Sequence, residues 1–382
     1  MGKVVSNIRN LGGEDLKSLF KNSELFDLIE KVEQNERLSR QDGIRLMESK
    51  DLLAIGYMAN ITRERINGDK TYFIVNRHIN HTNICINRCP LCAFGVDKDN
   101  INAYTMGMDD IERKSSEVKG TGVTEVHIVG GLHPDLPYSY YTDMLRTVRN
   151  YLPEVHIQAF TAVEIDYLSK LSGKSLEAVF EDLIDSGLGS LPGGGAEIFS
   201  PRVREKVCEK KISGDRWLEI MEIAHRMGLR TNATMLYGHV ETLEERIDHL
   251  LSLRQLQDKT GGFQSFIPLA FHPKNTKLEQ PVIYRTTGFE DIKLLAVSRL
   301  MLDNFNHIKA FWIMIGPKLA QISLSFGVDD IDGTVIEERI THAAGAATSQ
   351  SLTKEELIKM IKVAGRKPVE RDTLYNVVRE DY

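Results

Sequence analysis

Cysteine is scarce in this chain, with four among 382 residues. That is too few for a disulfide framework, and it points to a reducing, cytoplasmic setting in which cysteines are thiols or metal ligands. Tryptophan is rarer still, with two residues. No apolar run approaches the roughly 20 residues that a membrane-spanning helix needs. The opening MGKVVSNIRNLGGEDLKSLF has no apolar signal core, and MGKVVS fits a myristoylation pattern only loosely. Positive charge is not in excess either. The net charge is −6, so no broad basic surface is implied, and nucleic acid and membrane are not expected partners. What is present, 42% hydrophobic and 27% charged residues, is the composition of a soluble globular protein.

The length is ordinary for one large α/β domain with additions. Residues 1–72 carry helical apolar spacing without strands, as in LFDLIEKVEQ and GIRLMESKDLLAIGYMANITRERI. Over 73–334 the pattern changes. Strand-like runs (YFIVNRHIN, VTEVHIVGG, VHIQAFTAVEI, LGSLPGG, LRTNATMLYG, FQSFIPLAF, IKAFWIMIG, SFGVDDI) alternate with helical stretches such as SLEAVFEDLIDSG and GDRWLEIMEIAHRMG. Strand–helix alternation implies parallel strands joined by crossovers, and eight of them predict a closed (β/α)8 barrel of the TIM type. The last crossover is the weak joint. Only PKLAQISL separates WIMIG from SFGVDDI, which is short for a parallel connection of about 10–12 residues. Residues 335–382 read as C-terminal helices and a polar tail.

Three of the cysteines fall within eight residues, in NICINRCPLCAF. Cys85, Cys89 and Cys92 have the spacing C-x3-C-x2-C and follow the first barrel strand, where active-site loops lie. A structural zinc site would need a fourth ligand, and Cys208 in VREKVCEKK reads as a surface or half-buried position. A zinc-stabilised binding protein is the rival reading on these grounds. A deaminase is a poor fit, because the proline follows Cys89 and the His-x-Glu lies downstream. Three thiolates suit a [4Fe–4S] cubane better, since one of its four irons is then left for another ligand.

This loop resembles that of the radical S-adenosylmethionine (SAM) superfamily, whose hallmark is C-x3-C-x2-C after the first barrel strand. Leu91 stands where an aromatic usually precedes the third cysteine. Gly130 and Gly131 in HIVGGLHPD match the superfamily's glycine motif at the second strand. The likeness extends over most of the chain. VNRHINHTNIC, GGLHPDLPYSYY, SLPGGGAEIF, TNATMLYGHVET and HAAGA are similar to the group holding aminofutalosine synthase, dehypoxanthine futalosine cyclase and FO synthase. Within it, AFTAVEI and IPLAFHPKNT are most similar to the aminofutalosine synthase family.

The resemblance implies a step in menaquinone biosynthesis. The adenosyl radical of SAM adds to the vinyl carbon of 3-[(1-carboxyvinyl)oxy]benzoate, the aryl group migrates, and carboxylate is lost. The products are 6-amino-6-deoxyfutalosine and methionine, so SAM is consumed as co-substrate. A [4Fe–4S] cluster and an electron donor such as flavodoxin or ferredoxin are implied with it. Such a site must be dry and must hold a dianion by fixed hydrogen-bonding or cationic groups.

Position at strand ends nominates the remaining residues. His78, His133, His239 and His272 are candidate catalytic groups. Arg77 is a candidate for the substrate, although strand alternation lets only one of Arg77 and His78 face inward. The resemblance implies that Leu91, Gly130, Gly131, Glu164 (at the end of the third strand) and Glu197 meet SAM, and that Cys85, Cys89 and Cys92 hold the metal. Glu241 stands beside His239 at the same rim. Asp329, Asp330 and Asp332 are expected to cap loops and helices. His342 and Arg371 are candidates by resemblance alone.

Overall fold

Leu28, Ile29 and Val32 share one face of the helix Phe26–Glu33, so burying that face is what holds the helix to the rest of the protein. This and all that follows comes from a computed structural model, which describes residues 17–278 and 286–382. The MGKVVS pattern lies outside them. Two further helices, Arg40–Glu48 and Leu52–Asn67, complete the helical N-terminal stretch. Ser39 and Asp42 close a reciprocal capping box at the first of these.

The strands are β1 (Lys70–Ile74), β2 (Asn76–Ile79), β3 (Glu125–Ile128), β4 (His156–Ala159), β5 (Ser190–Leu191), β6 (Arg230–Tyr237), β7 (Phe263–Ala270) and β8 (His307–Ile308). Strands β2 to β8 form one curled, parallel, seven-stranded sheet in sequence order. Further on come β9 (Asp330–Gly333), β10 (Lys367–Arg371) and β11 (Val377–Arg379), which join β1 in a second sheet of order β11-β10-β1-β9. The segment 329–336 links the two edges of the large sheet. Ala310 N donates to Asp330 O (2.8 Å) on the β8 side, and His78 N donates to Ile336 O (2.9 Å) on the β2 side. The result is a TIM-like α/β fold.

Four local expectations are corrected. YFIVNRHIN is two strands broken at Val75, and β1 turns away to pair with β9 and β10. In VHIQAFTAVEI the strand ends at Ala159. Phe160 takes a left-handed φ of 64°, and Thr161 caps the helix Ala162–Ser172 with Glu164 in its capping box. WIMIG is the helix Trp312–Ile315 and PKLAQISL contains the helix Pro317–Ser323, so the last crossover runs from β8 to β9 and is not short. A short apolar run has no period to tell strand from helix. The polar tail contains β10, buried from Pro368 to Arg371, and β11, which is exposed; on β10 Arg371 Nε meets Asp330 Oδ2 at 2.7 Å.

The three late aspartates are also explained by partners. Asp329 meets Arg299 and His307, Asp330 meets Arg371, and Asp332 lies 3.5 Å from Lys309 Nζ. Each lies against a buried base, and the loop capping expected of them is found as well, with Asp330 Oδ1 accepting from Asp332 N (2.6 Å) and Asp329 Oδ1 from Ile308 N (2.8 Å). Among the described residues no three His, Cys, Asp or Glu side chains are grouped around a single ion.

Candidate active site

Strand alternation decides between Arg77 and His78. His78 faces a cavity of about 340 Å³ inside the barrel. Arg77 points the other way, where its guanidinium meets Glu117 (2.8 Å) and Glu337 (2.9 Å). The substrate role expected for Arg77 is therefore not open to its side chain. His78 stacks on His127, with ring centroids 4.5 Å apart. Burial holds both imidazoles below their ordinary range and hence neutral; His127 and Lys309 add to this at His78, whereas Glu125 and Asp332 oppose it at His127 without overcoming it.

Cys85, Cys89 and Cys92 wall the same cavity as free thiols, whereas Cys208 does not reach it. Their loop is pinned on three sides. Ile86 N donates to Leu132 O (3.0 Å), Leu91 N to Val207 O (3.3 Å), and Lys277 N to Pro90 O (2.9 Å). Burial pushes the Cys89 thiol up to about 11. Cys208 is fully buried, not half-exposed as its charged neighbours imply.

Gly130 and Gly131 line the cavity beside this loop. The glycine requirement comes from the protein's own packing. A Cβ on Gly131 would sit 2.2 Å from the Ile84 carbonyl oxygen, and one on Gly130 would strike the His81 ring at 2.4 Å. Glu164 also lines the cavity. Its carboxyl accepts from Gly130 N (3.0 Å) and Thr161 N (2.7 Å), and burial still pushes it up to about 7. Glu197 takes a left-handed φ of 48° and pairs with Lys211. Burial raises Glu197, but Lys211 together with Arg204 and His239 outweighs it and keeps the carboxylate ionised. Leu91 and His272 complete the set, with His272 Nε2 donating to Met314 O (2.9 Å).

Two nominated histidines lie outside the cavity wall. His133 Nδ1 accepts from Asp135 N (3.1 Å), so the ring caps its own turn. His239 is folded back on its loop, with Nε2 against Leu236 O (2.9 Å) and Nδ1 near Glu241. Glu241 is bound by Gly238 N and Arg246. Arg371, paired with Asp330, is likewise outside the cavity lining. Sequence reading missed several polar residues that are inside, among them His127, Lys211 and Lys309. His127 and Lys309 carried a signal, as polar residues within the apolar runs EVHIV and HIKAF. Lys211 carried none, because CEKK looks like any solvated charge run.

His342 does not line the cavity but holds Glu338, which does. Its Nδ1 faces Glu338 oxygens and its Nε2 faces Thr348 O (3.3 Å), so both nitrogens donate and the ring is held as imidazolium. The Glu338 side chain is the largest cause, and the pKa is pushed up to about 9 from an ordinary 6.5. The folded value lies above the unfolded one. The stabilisation is therefore complete below about pH 6.5 and lost as pH rises through about 9. H342Q should be less stable than the parent at pH 6 and approach it above pH 9 in urea unfolding. A constant gap across that window would refute the assignment.

Against this geometry, the comparisons agree. The radical SAM superfamily matches residues 79–253, and the CofH/MqnC C-terminal region matches residues 260–381. The aminodeoxyfutalosine synthase of Thermus thermophilus is 48% identical over 357 residues, covering 93% of this chain and 96% of that one. The 5-amino-6-(D-ribitylamino)uracil–L-tyrosine 4-hydroxyphenyl transferase of Methanopyrus kandleri is 40% identical over 324 residues, covering 84% of this chain and 88% of that one. Among solved structures, methylornithine synthase matches with a TM-score of 0.70 at 19% identity, over 89% of this chain and 97% of that one, which is a likeness of fold. The chain belongs to the radical SAM superfamily and, within it, to the family that holds the aminodeoxyfutalosine synthases.

Proposed function

We propose that this protein is an aminodeoxyfutalosine synthase. It joins the adenosyl part of SAM to 3-[(1-carboxyvinyl)oxy]benzoate, with aryl migration and loss of carboxylate. The observation that carries this reading is the convergence of the C-x3-C-x2-C thiols, Gly130–Gly131, Glu164 and Glu197 on one cavity, in a chain 48% identical to such a synthase.

The residues fit the cofactors. Three of the four cysteines face the cavity without disulfide partners, and glycines at 95 and 131 keep Cβ atoms away from Cys85. Cys85, Cys89 and Cys92 would hold a [4Fe–4S] cluster, and Gly130, Gly131, Glu164, Glu197 and Leu91 would surround SAM. When bound, these groups supply a one-electron cleavage of the sulfonium that yields an adenosyl radical.

The chain's own contribution is positioning and dryness. Ile267, Leu269, Phe271, Phe311 and Met314 give the cavity an apolar wall that keeps water from a reactive carbon. His78 is neutral and held by its stack, so it offers one fixed donor and one acceptor to the substrate. His272 is oriented by the Met314 carbonyl and faces the same space. An electron carrier such as flavodoxin or ferredoxin is the reductant this reading requires.

The test is an anaerobic assay of reconstituted protein with SAM, a reductant and the enol ether, read by mass spectrometry. The adenosyl–aryl ketone is the expected product. Cyclisation of dehypoxanthine futalosine, or hydroxyphenyl transfer from tyrosine to the ribitylaminouracil, would reassign the chain to a sibling reaction. Zinc without iron or sulfide after anaerobic purification would instead favour a zinc-stabilised binding protein.

A further inference from the structure

We infer that Lys309 receives the ring carboxylate of the aryl enol ether at the inner end of the cavity, a role that rests on the function proposed above. Lys309 follows β8, where its N–H donates to Phe266 O (2.9 Å). Its side chain is 8% exposed and lines the cavity. The neighbours it shares the lining with, Asn76, Glu125, His127 and Gln158, come from the strands themselves. The cysteines, by contrast, lie in the loop beyond β2, and Gly130 and Glu197 also lie past their strands. Lys309 therefore marks the inner end and the thiols mark the loop end.

The substrate has the same polarity. Its vinyl carbon must meet the adenosyl group at the thiol end, and its ring carboxylate lies at the opposite end of the molecule. A carboxylate entering a buried space needs a fixed cation or donors. The other cations on the wall are engaged elsewhere. Lys211 is paired with Glu197, and Arg88 Nε lies 3.2 Å from Asp97. Lys309 has one long contact, 3.5 Å to Asp332 Oδ2, against 2.7 Å for the neighbouring Arg371–Asp330 pair. An ammonium has three donors, so Lys309 keeps capacity for a ligand. The stacked pair His78–His127 adds neutral hydrogen-bonding groups beside it. Glu125 and Asp332 are acidic neighbours in the lining, so they oppose an anion that does not reach the ammonium, and only a carboxylate hydrogen-bonded directly to Lys309 gains there.

The test measures equilibrium binding to the holoenzyme with SAM and no reductant. The two probes are the substrate and its analogue with hydrogen in place of the ring carboxylate. Parent protein should prefer the substrate by about 10- to 100-fold, the range of a charged hydrogen bond. K309Q should lose that preference, binding the substrate as weakly as the analogue while its affinity for the analogue stays within about threefold of the parent's. K309Q weakening both probes equally would overturn the proposal and leave Lys309 a structural counter-ion. D332N is an independent check should K309Q not fold. It leaves the lysine in place and removes its competitor, so the preference should rise; an unchanged or smaller preference would overturn the proposal. Failure of the parent to form the adenosyl adduct would overturn the functional reading and this proposal with it. Adduct formation alongside an unchanged preference in K309Q would overturn the proposal alone.

Discussion

Replacing Cys89 by alanine is expected to abolish SAM cleavage and adduct formation, a loss of about a thousandfold or more. The same holds for Cys85 and Cys92. The loop cannot rearrange to recruit another donor, because hydrogen bonds to Leu132, Val207 and Pro90 pin it at three points. Burial pushes the Cys89 thiol up, so binding a metal there displaces a proton. Cys208→Ala is the control. That thiol is fully buried and is not among the residues lining the cavity, so its loss costs packing of about 1 kcal/mol and leaves iron, sulfide and SAM cleavage intact. Iron and sulfide analysis with a SAM-cleavage assay reads both variants. Retained cleavage in Cys89→Ala, or lost iron in Cys208→Ala, would show that the wrong thiols had been assigned.

The second large effect is on stability. Asp329 and Arg299 are both fully buried at the segment that joins the edges of the barrel. Asp329 also accepts from His307 Nδ1 (2.6 Å) and Ile308 N (2.8 Å). D329N keeps the shape and removes the charge, leaving an uncompensated guanidinium in the core. The expected cost is about 3–5 kcal/mol in urea unfolding. The pair Arg40–Asp248 is half exposed, where solvent screens the charges, and its removal should cost far less. Equal costs for the two would mean that burial does not set the value of these pairs. The barrel's last joint thus depends on charge pairing as well as on strand hydrogen bonds.

Much of this was readable in the chain. The alternation of strands and helices placed β2 to β8 in order, because each strand must cross back over a helix to stay parallel. The reading failed where local pattern has more than one solution. WIMIG has the apolar content of a strand, yet it forms a helix that Gly316 ends with a φ of 84°. KPVERD has the look of a tail, yet β10 is buried because Arg371 finds Asp330 inside. Glu164 was placed on a strand, and its distance from Thr161 was the overlooked capping signal.

Spacing of cysteines in one loop is a local property, so the sequence by itself determined which thiols are the candidates for the metal and, through them, the superfamily. Family-like runs after later strands carried the reading further, toward one reaction. Which histidines and cations share the cavity was decided only by the tertiary structure. His133 and His239 follow strands just as His272 does, but their turns fold the rings back on backbone groups. Lys211 and Lys309 lie about a hundred residues apart in sequence and reach one cavity because the barrel closes. A side chain's direction depends on strand register and on the partner that captures it, and both are set by residues far away in the chain.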